Sequence, residues 1–143
     1  MDKKRLIRRK YLFKRKKNFF EIKNTFFEPL KNLIKKTNGK DIKNISLYFP
    51  SNFEVNVLKI LDIQYFKKFK FSLPIISKNH VMNFYLWKNK DILLINKYGI
   101  PEPQKTLKIE PKLILVPLLA FDKYKNRIGY GKGYYEDKSV HKM

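Results

Sequence analysis

Apolar residues recur at helical spacing in the first third of the chain and gather into short runs after it. Asp2 can cap a first helix running to about Asn18, with Leu6, Ile7, Leu12 and Phe13 as its apolar side chains. Ile22, Phe26, Phe27, Leu30, Leu33 and Ile34 predict a second helix. Thr37-Asn38-Gly39 ends it, with Gly39 as the C-cap. Ile45-Ser46-Leu47-Tyr48-Phe49 reads as a short buried strand closed by Pro50. Helical spacing returns from about Glu54 to Lys68, through Val55, Leu58, Leu61 and Tyr65. Residues 71–76 and 81–87 are strand candidates, and Pro101 and Pro103 mark a loop. Leu113-Ile114-Leu115-Val116, stopped by Pro117, is the clearest strand. A glycine-rich turn from Gly129 to Gly133 then leads into Tyr134 and Tyr135.

Strand, helix, strand, then loop and strand predicts an α/β fold: a three-layer α/β/α domain on a mainly parallel, Rossmann-like sheet. No internal repeat or composition break divides it, so residues 1–143 are expected to form a single domain. Ligands of such sheets sit outside the C-terminal ends of the strands. Residues 50–54, the Trp87 region and residues 121–135 are therefore the places to look for a site.

Composition narrows the chemistry. The chain has no cysteine, which excludes disulfides, thiolate metal sites and a cysteine nucleophile. No apolar run reaches membrane-spanning length. The basic N-terminus lacks the apolar block and cleavage site of a secretory signal, and it favours Lys over the Arg and Ser of organelle presequences. A cytoplasmic protein is expected. The net charge of +21 points to a phosphate-rich partner. Coding bias accounts for it better. Lys, Asn, Ile, Phe and Tyr, the residues of A/T-rich codons, are all abundant, Ala120 is the single alanine, and the lysines run along the whole chain. No specific nucleic-acid partner is expected, although such a surface attracts polyanions at low salt and helps recruit anionic substrates.

Arg127-Ile128-Gly129-Tyr130-Gly131-Lys132-Gly133-Tyr134-Tyr135 carries the most chemistry. Alternate glycines let the backbone turn tightly and bring N–H groups to a ligand. Lys132 adds a mobile cation, and Arg127 can grip phosphate with two donors. The set suits a polyphosphate, with a flexible turn as the plainer alternative. It is neither a Walker A loop nor a dinucleotide fingerprint, because the glycines are two apart throughout.

The surroundings of this turn make it specific. Leu113 to Pro117, then Ala120-Phe121-Asp122, then Asn126 to Tyr135 resembles the signature of the 5-formyltetrahydrofolate cyclo-ligase family. Four further pieces agree, in order. Lys4-Arg5-Leu6-Ile7-Arg8 is similar to the family's basic N-terminal helix motif. Tyr48-Phe49-Pro50 followed by Glu54 is similar to its strand and acidic substrate contact. Leu73-Pro74 with Met82, Phe84 and Trp87, and then Gly99-Ile100-Pro101-Glu102-Pro103, resemble its central segment.

The resemblance implies an enzyme that uses ATP and Mg²⁺ to close 5-formyltetrahydrofolate to 5,10-methenyltetrahydrofolate, releasing ADP and phosphate. It implies that Lys4 and Arg8 reach the ATP phosphates and that Arg127, Ile128, Gly129, Tyr130, Gly131, Lys132, Gly133, Tyr134 and Tyr135 hold the triphosphate. Arg127 and Lys132 take the catalytic roles. Glu54 bonds the donor edge of the pterin, and Phe49, Trp87 and Tyr134 wall the folate. Residue types alone leave plainer roles open: a solvated basic face for Lys4 and Arg8, a first-turn helix acid for Glu54, ordinary core for Phe49 and Trp87. His80 and His141 show no partner pattern.

Two features depart from the family pattern. The Asp that helps to hold Mg²⁺ is replaced by Glu136, followed by Asp137, and Mg²⁺ tolerates little displacement of its oxygens. Family members also continue for several tens of residues past this point, with a helix, a strand and further acidic residues. The chain is thus expected to be shortened at its C-terminus, to expose apolar surface and a strand edge, and to turn over poorly. It is expected to be a monomer. The alternatives are an inactive relic that still binds nucleotide, or a basic nucleic-acid-binding module.

Overall fold

A computed structural model describes residues 2–37 and 41–135. Helix α1 spans Lys3–Lys17. The Asp2 carboxylate accepts from the Lys4 amide at 3.0 Å, and Lys14 to Lys17 complement the dipole at the far end. An extended stretch carrying Ile22 leads into a 3₁₀ turn, Asn24–Phe27, and helix α2, Glu28–Lys36, with Pro29 in its first turn. The expected second helix is therefore shorter. Ile22 is buried from outside it, and the anticipated C-cap at Gly39 lies outside the described residues.

Among the described residues nine strands follow: β1 (Asn44–Ser46), β2 (Lys70–Ile76), β3 (Met82–Leu86), β4 (Leu93–Ile95), β5 (Pro101–Pro103), β6 (Lys108–Ile109), β7 (Leu113–Ile114), β8 (Ala120–Phe121) and β9 (Arg127–Ile128). Five of them form one sheet in the order β6-β3-β2-β1-β7. β1 runs parallel to β2 and β7, whereas β3 runs antiparallel to β2 and β6. The sheet is thus mixed, which corrects the expectation of mainly parallel pairing. The strand–helix alternation expected of a Rossmann-like layer arrangement is also not followed here. Two 3₁₀ segments, Val57–Asp62 and Gln64–Lys68, connect β1 to β2 in place of the α-helix expected over residues 54–68.

The reason is visible in the spacing. Val57, Ile60, Phe66 and Phe69 are buried, and they recur at multiples of three, the 3₁₀ repeat. The positions first read as a helical stripe, Val55, Leu58, Leu61 and Tyr65, are half-buried beside them. This layer meets Ile45 and Leu47 of the β1 strip and Phe71 and Leu73 of β2, alternate residues that share one sheet face. Phe27 and Ile34 close the same core.

Two hairpins complete the described chain, β4–β5 and β8–β9. Pro101 and Pro103, expected in a loop, pair with Ile95 and Leu93 in the first. A two-stranded ribbon has free edges, where a missing N–H costs little. In the second, the Asp122 carboxylate accepts from the amides of Tyr124 and Asn126 at 2.8 and 2.9 Å and fixes the turn.

Candidate functional site

β1, β2 and β7 point the same way, and a cavity of about 470 Å³ opens where they end. Its walls come from Tyr48, Phe49, Ser51, Asn52 and Glu54 after β1, from Pro74 and Ile76 of β2, and from Val116 and Pro117 after β7. Pro74 lies past the last β1 pairing, where β2 has a neighbour on one side alone, so its missing N–H leaves no gap in a ladder. Met82, Asn96, Tyr98 and residues 100–102 add a further side, and Lys4 and Arg8 of α1 with residues 127–135 complete the lining.

The acid of the site is Glu54, only 7% exposed. Asn52 and Phe53 both take left-handed backbone conformations, with φ of 49° and 61°. That turn brings the Glu54 carboxylate back to accept from the Ser51 amide at 2.8 Å. Burial holds its pKa above the usual carboxylate range, against the hydrogen bonds from Ser51 and Tyr130 and the charge of Arg15. The same acid and burial push Tyr130 up to about 12.

On the same cavity as Glu54, the glycine turn is held from two sides. The Arg127 guanidinium donates to the Tyr135 carbonyl at 2.9 Å and closes the turn on itself. Arg8 Nε donates to the Gly129 carbonyl at 3.0 Å. Gly131 sits at φ +86°, and a Cβ there would lie 2.9 Å from the Arg8 guanidinium. The left-handed backbone is what requires glycine; the guanidinium is the end of a flexible side chain and would shift for a methyl group. Lys132 Nζ stands 4.0 Å from the centre of the Tyr98 ring, and the Tyr134 hydroxyl donates to the Tyr98 oxygen at 2.8 Å. Two arginines, two lysines and a tight glycine turn thus line one cavity with a single buried acid among the described residues. The arrangement can neutralise a polyphosphate on one side and accept hydrogen bonds from a flat polar ring on the other.

Residues 1–142 match the model of the 5-formyltetrahydrofolate cyclo-ligase family. The chain belongs to that family. The cyclo-ligase match extends to individual proteins. A probable 5-formyltetrahydrofolate cyclo-ligase of Schizosaccharomyces pombe is 34% identical over 116 residues, 75% of this chain and 56% of that one. The 5-formyltetrahydrofolate cyclo-ligase of Haemophilus influenzae is 30% identical over 104 residues, 68% of this chain and 56% of that one. The chain therefore spans little more than half the length of these relatives. The solved 5,10-methenyltetrahydrofolate synthetase of Aquifex aeolicus superposes with a TM-score of 0.68 at 28% identity, over 93% of this chain and 70% of that one.

Of the residues that the cyclo-ligase resemblance singles out, Lys4, Arg8, Phe49, Glu54 and residues 127–135 all face this cavity. Trp87 does not. It is buried in the core, with its indole N–H directed to the Asp91 carbonyl at 3.4 Å, so it packs beneath the site and does not wall it. Glu136, Asp137 and His141 lie outside the described residues. Among the described residues no group of three metal-ligating side chains forms; the cavity offers Glu54 and Glu102 alone as carboxylates. The described residues therefore do not by themselves make a magnesium site. Two residues of the site were missed in the sequence. Tyr98 adjoins the Gly99-Ile100-Pro101 segment, which was its one signal. Arg15 hid among the cations of α1, although Lys4, Arg8 and Arg15 lie four and seven apart, on one helical face.

Proposed function

We propose that this chain carries the nucleotide and folate sites of an ATP-dependent 5-formyltetrahydrofolate cyclo-ligase. The reaction converts 5-formyltetrahydrofolate to 5,10-methenyltetrahydrofolate with release of ADP and phosphate. One observation carries the proposal: the Arg8 guanidinium lies against the glycine turn, and both line a single cavity with the buried Glu54 carboxylate.

The formyl oxygen is a poor leaving group, so it first attacks the γ-phosphorus of ATP as the bond to the bridging oxygen breaks and ADP departs. Folate N10 then adds to the activated carbon and loses its proton. The carbon–oxygen bond breaks, and phosphate leaves with the electron pair. The protein's part is to align reactants and offset phosphate charge. Lys4, Arg8 and Arg127, with backbone N–H groups of the turn, take the triphosphate. Lys132 follows the transferring phosphoryl group, Glu54 accepts from the pterin donor edge, and Phe49 and Tyr134 flank the folate. Mg²⁺ would enter with ATP and offset its charge, with Glu136 and Asp137 as its proposed ligands.

The proposal carries with it a single, three-layer domain over residues 1–143, a monomer, a cytoplasmic location and no specific nucleic-acid partner. Among the described residues no helix is long and apolar enough to cross a membrane. The test is ATP-dependent appearance of the ultraviolet band of methenyl-folate. Lys132→Ala is expected to cut turnover by about a hundredfold or more while ATP still raises the melting temperature. If neither ATP nor 5-formyltetrahydrofolate shifts the melting of the unaltered protein, the site assignment is wrong.

A further inference from the structure

The proposed chemistry leaves open what directs Lys132 before phosphate arrives. Its side chain is exposed, on a flexible four-carbon stem, between two glycines with left-handed backbone, Gly131 at φ 86° and Gly133 at φ 72°. The β4–β5 hairpin supplies a direction. Its turn, residues 96–100, is braced by Asn96. The Asn96 side-chain oxygen accepts from the Tyr98 and Ile100 amides at 2.9 and 3.1 Å, and its side-chain N–H donates to the Glu102 carboxylate at 3.2 Å. The Asn96 backbone closes the same turn, donating to the Ile100 carbonyl at 3.0 Å and accepting from the Gly99 amide at 2.9 Å. Tyr98 therefore joins the cavity wall from a braced support. Lys132 Nζ rests 4.0 Å from the centre of its ring, and its oxygen accepts from the Tyr134 hydroxyl at 2.8 Å. Tyr134 in turn stacks on the His80 ring, with 14° between the planes. One tyrosine thus holds the residues on either side of Gly133.

We propose that Tyr98 is a positioning residue for Lys132, its ring holding the ammonium at the cavity for the phosphate chain of an anionic ligand. That this ligand is ATP rests on the function proposed above. The face of an aromatic ring is the negative part of its quadrupole and attracts a cation within about 6 Å. An ammonium carries three donors, so one turned to the ring leaves the others for phosphate oxygens. The lysine can stay on the ring and bind. Its rotamer freedom is reduced before the ligand arrives, which lowers the cost of ordering it in the complex. A fold-stabilising role accounts for the contact less well, because Lys132 is exposed and Tyr98 only half-buried. Lys97 also lies near the ring, at 5.1 Å, but it does not line the cavity.

The first test is NMR of the full chain without ligand. The Lys132 ε-methylene protons are expected upfield of those of other lysines, shifted by the Tyr98 ring current. Tyr98→Leu should abolish that shift, whereas Tyr98→Phe and Lys97→Met should keep it. The second test is calorimetric titration with ATP and with inorganic tripolyphosphate. Tyr98→Leu is expected to weaken both about threefold, and Tyr98→Phe, which keeps the ring and loses the oxygen, to weaken them less. In a Lys132→Met background, Tyr98→Leu should add little. Unshifted ε-protons in the unaltered protein overturn the proposal. So do equal losses in Tyr98→Phe and Tyr98→Leu, which would assign the effect to the Tyr134 hydrogen bond. Should Tyr98→Leu fail to fold, stepwise fluorination of the ring in Tyr98→Phe decides, since it weakens the ring face at nearly constant size: an affinity that stays flat across the series overturns the proposal. Affinities that follow the ring in a protein that forms no methenyl-folate keep the role of Tyr98 and remove the cyclo-ligase reading. Flat affinities in a protein that does form it remove the role of Tyr98 alone.

Discussion

The two α-helices are held to this protein by different means. Helix α2 is attached by burial. Ile34 and the adjoining Phe27 are each 3% exposed, and the Phe27 ring meets Phe66 edge-on at 6.3 Å. Helix α1 has no buried residue at all; Leu6 and Phe13 are 48% and 68% exposed. Its attachment is polar, through Arg8 to the Gly129 carbonyl and Arg15 to the Tyr130 hydroxyl and Leu118 carbonyl. Both of those arginines end on the glycine turn or its approach. A helix fastened by apolar area contributes to stability wherever it lies. A helix fastened by cations to the glycine turn contributes mainly to the cavity which that turn lines.

The strongest way to break this contrast is a pair of matched truncations. Phe27→Ala is expected to cost about 3–5 kcal/mol, the usual range for a buried aromatic. That is a large part of the stability of a small domain. Phe13→Ala on α1 is expected to change stability by no more than about 0.5 kcal/mol. Denaturant unfolding of both variants measures the difference. Comparable losses would mean that α1 is packed after all and that the contrast is false.

The same difference decides what was legible in the sequence. α1 came out at nearly its full length because Asp2 and the basic last turn are local signals. The β-rich runs at residues 45–49, 71–76 and 113–116 were also legible, although the laddered parts of the first and third are shorter. Leu47 and Leu115 extend them by single amide bonds, to the carbonyls of Ser72 and Ser46 at 2.9 Å. Residues 54–68 were not legible as 3₁₀ structure. Their apolar residues are dense enough to satisfy a period of 3.6 or of 3, and only packing against Phe71 and Leu73 selects the second. β5 was hidden by its prolines, which argue against a strand unless an edge is already known. The glycine turn and Glu54, which the family resemblance singles out, line one cavity. Trp87 was left open between the folate wall and the core, because an aromatic on a site and an aromatic in the core have the same sequence signal; it lies in the core. Arg15 needed the geometry, since one cation among many carries no mark until its partner is seen.

A smaller effect separates ligand attachment from fold attachment on α1 itself. Arg8→Ala removes a guanidinium that lies against Gly131 and donates to Gly129. Both contacts are on a half-exposed turn, so the loss in stability should stay below about 1 kcal/mol. ATP affinity should fall about tenfold, the scale of one charge-assisted phosphate contact. Calorimetric titration with ATP, beside an unfolding curve of the same variant, gives both numbers. A variant that loses stability and keeps its ATP affinity would place Arg8 with α2 as a structural tie.

The finest test lies where the two kinds of attachment meet, at Glu54. Its pKa is raised chiefly by burial, and the Ser51 amide, the Tyr130 hydroxyl and Arg15 offset only part of that. A carboxyl raised above its unfolded value makes the folded state most stable when protonated. Stability is therefore greatest below the ordinary carboxylate range and declines as pH rises through that range to the folded midpoint. Glu54→Gln cannot ionise, so its stability should lack this decline, and the two unfolding curves should diverge with rising pH, the glutamine variant gaining. Folate affinity should run the other way. A carboxylate accepts from the pterin donors more strongly than a carboxyl, so the unaltered protein should bind 5-formyltetrahydrofolate better above the Glu54 midpoint than below it, and the glutamine variant should show no such step. Opposite slopes in one residue would mean that the fold holds a charge against its own preference because the ligand uses it. Parallel stability curves for the two proteins across pH 3–8 would show that Glu54 is not held that way, and the site's acid would then be an ordinary turn residue.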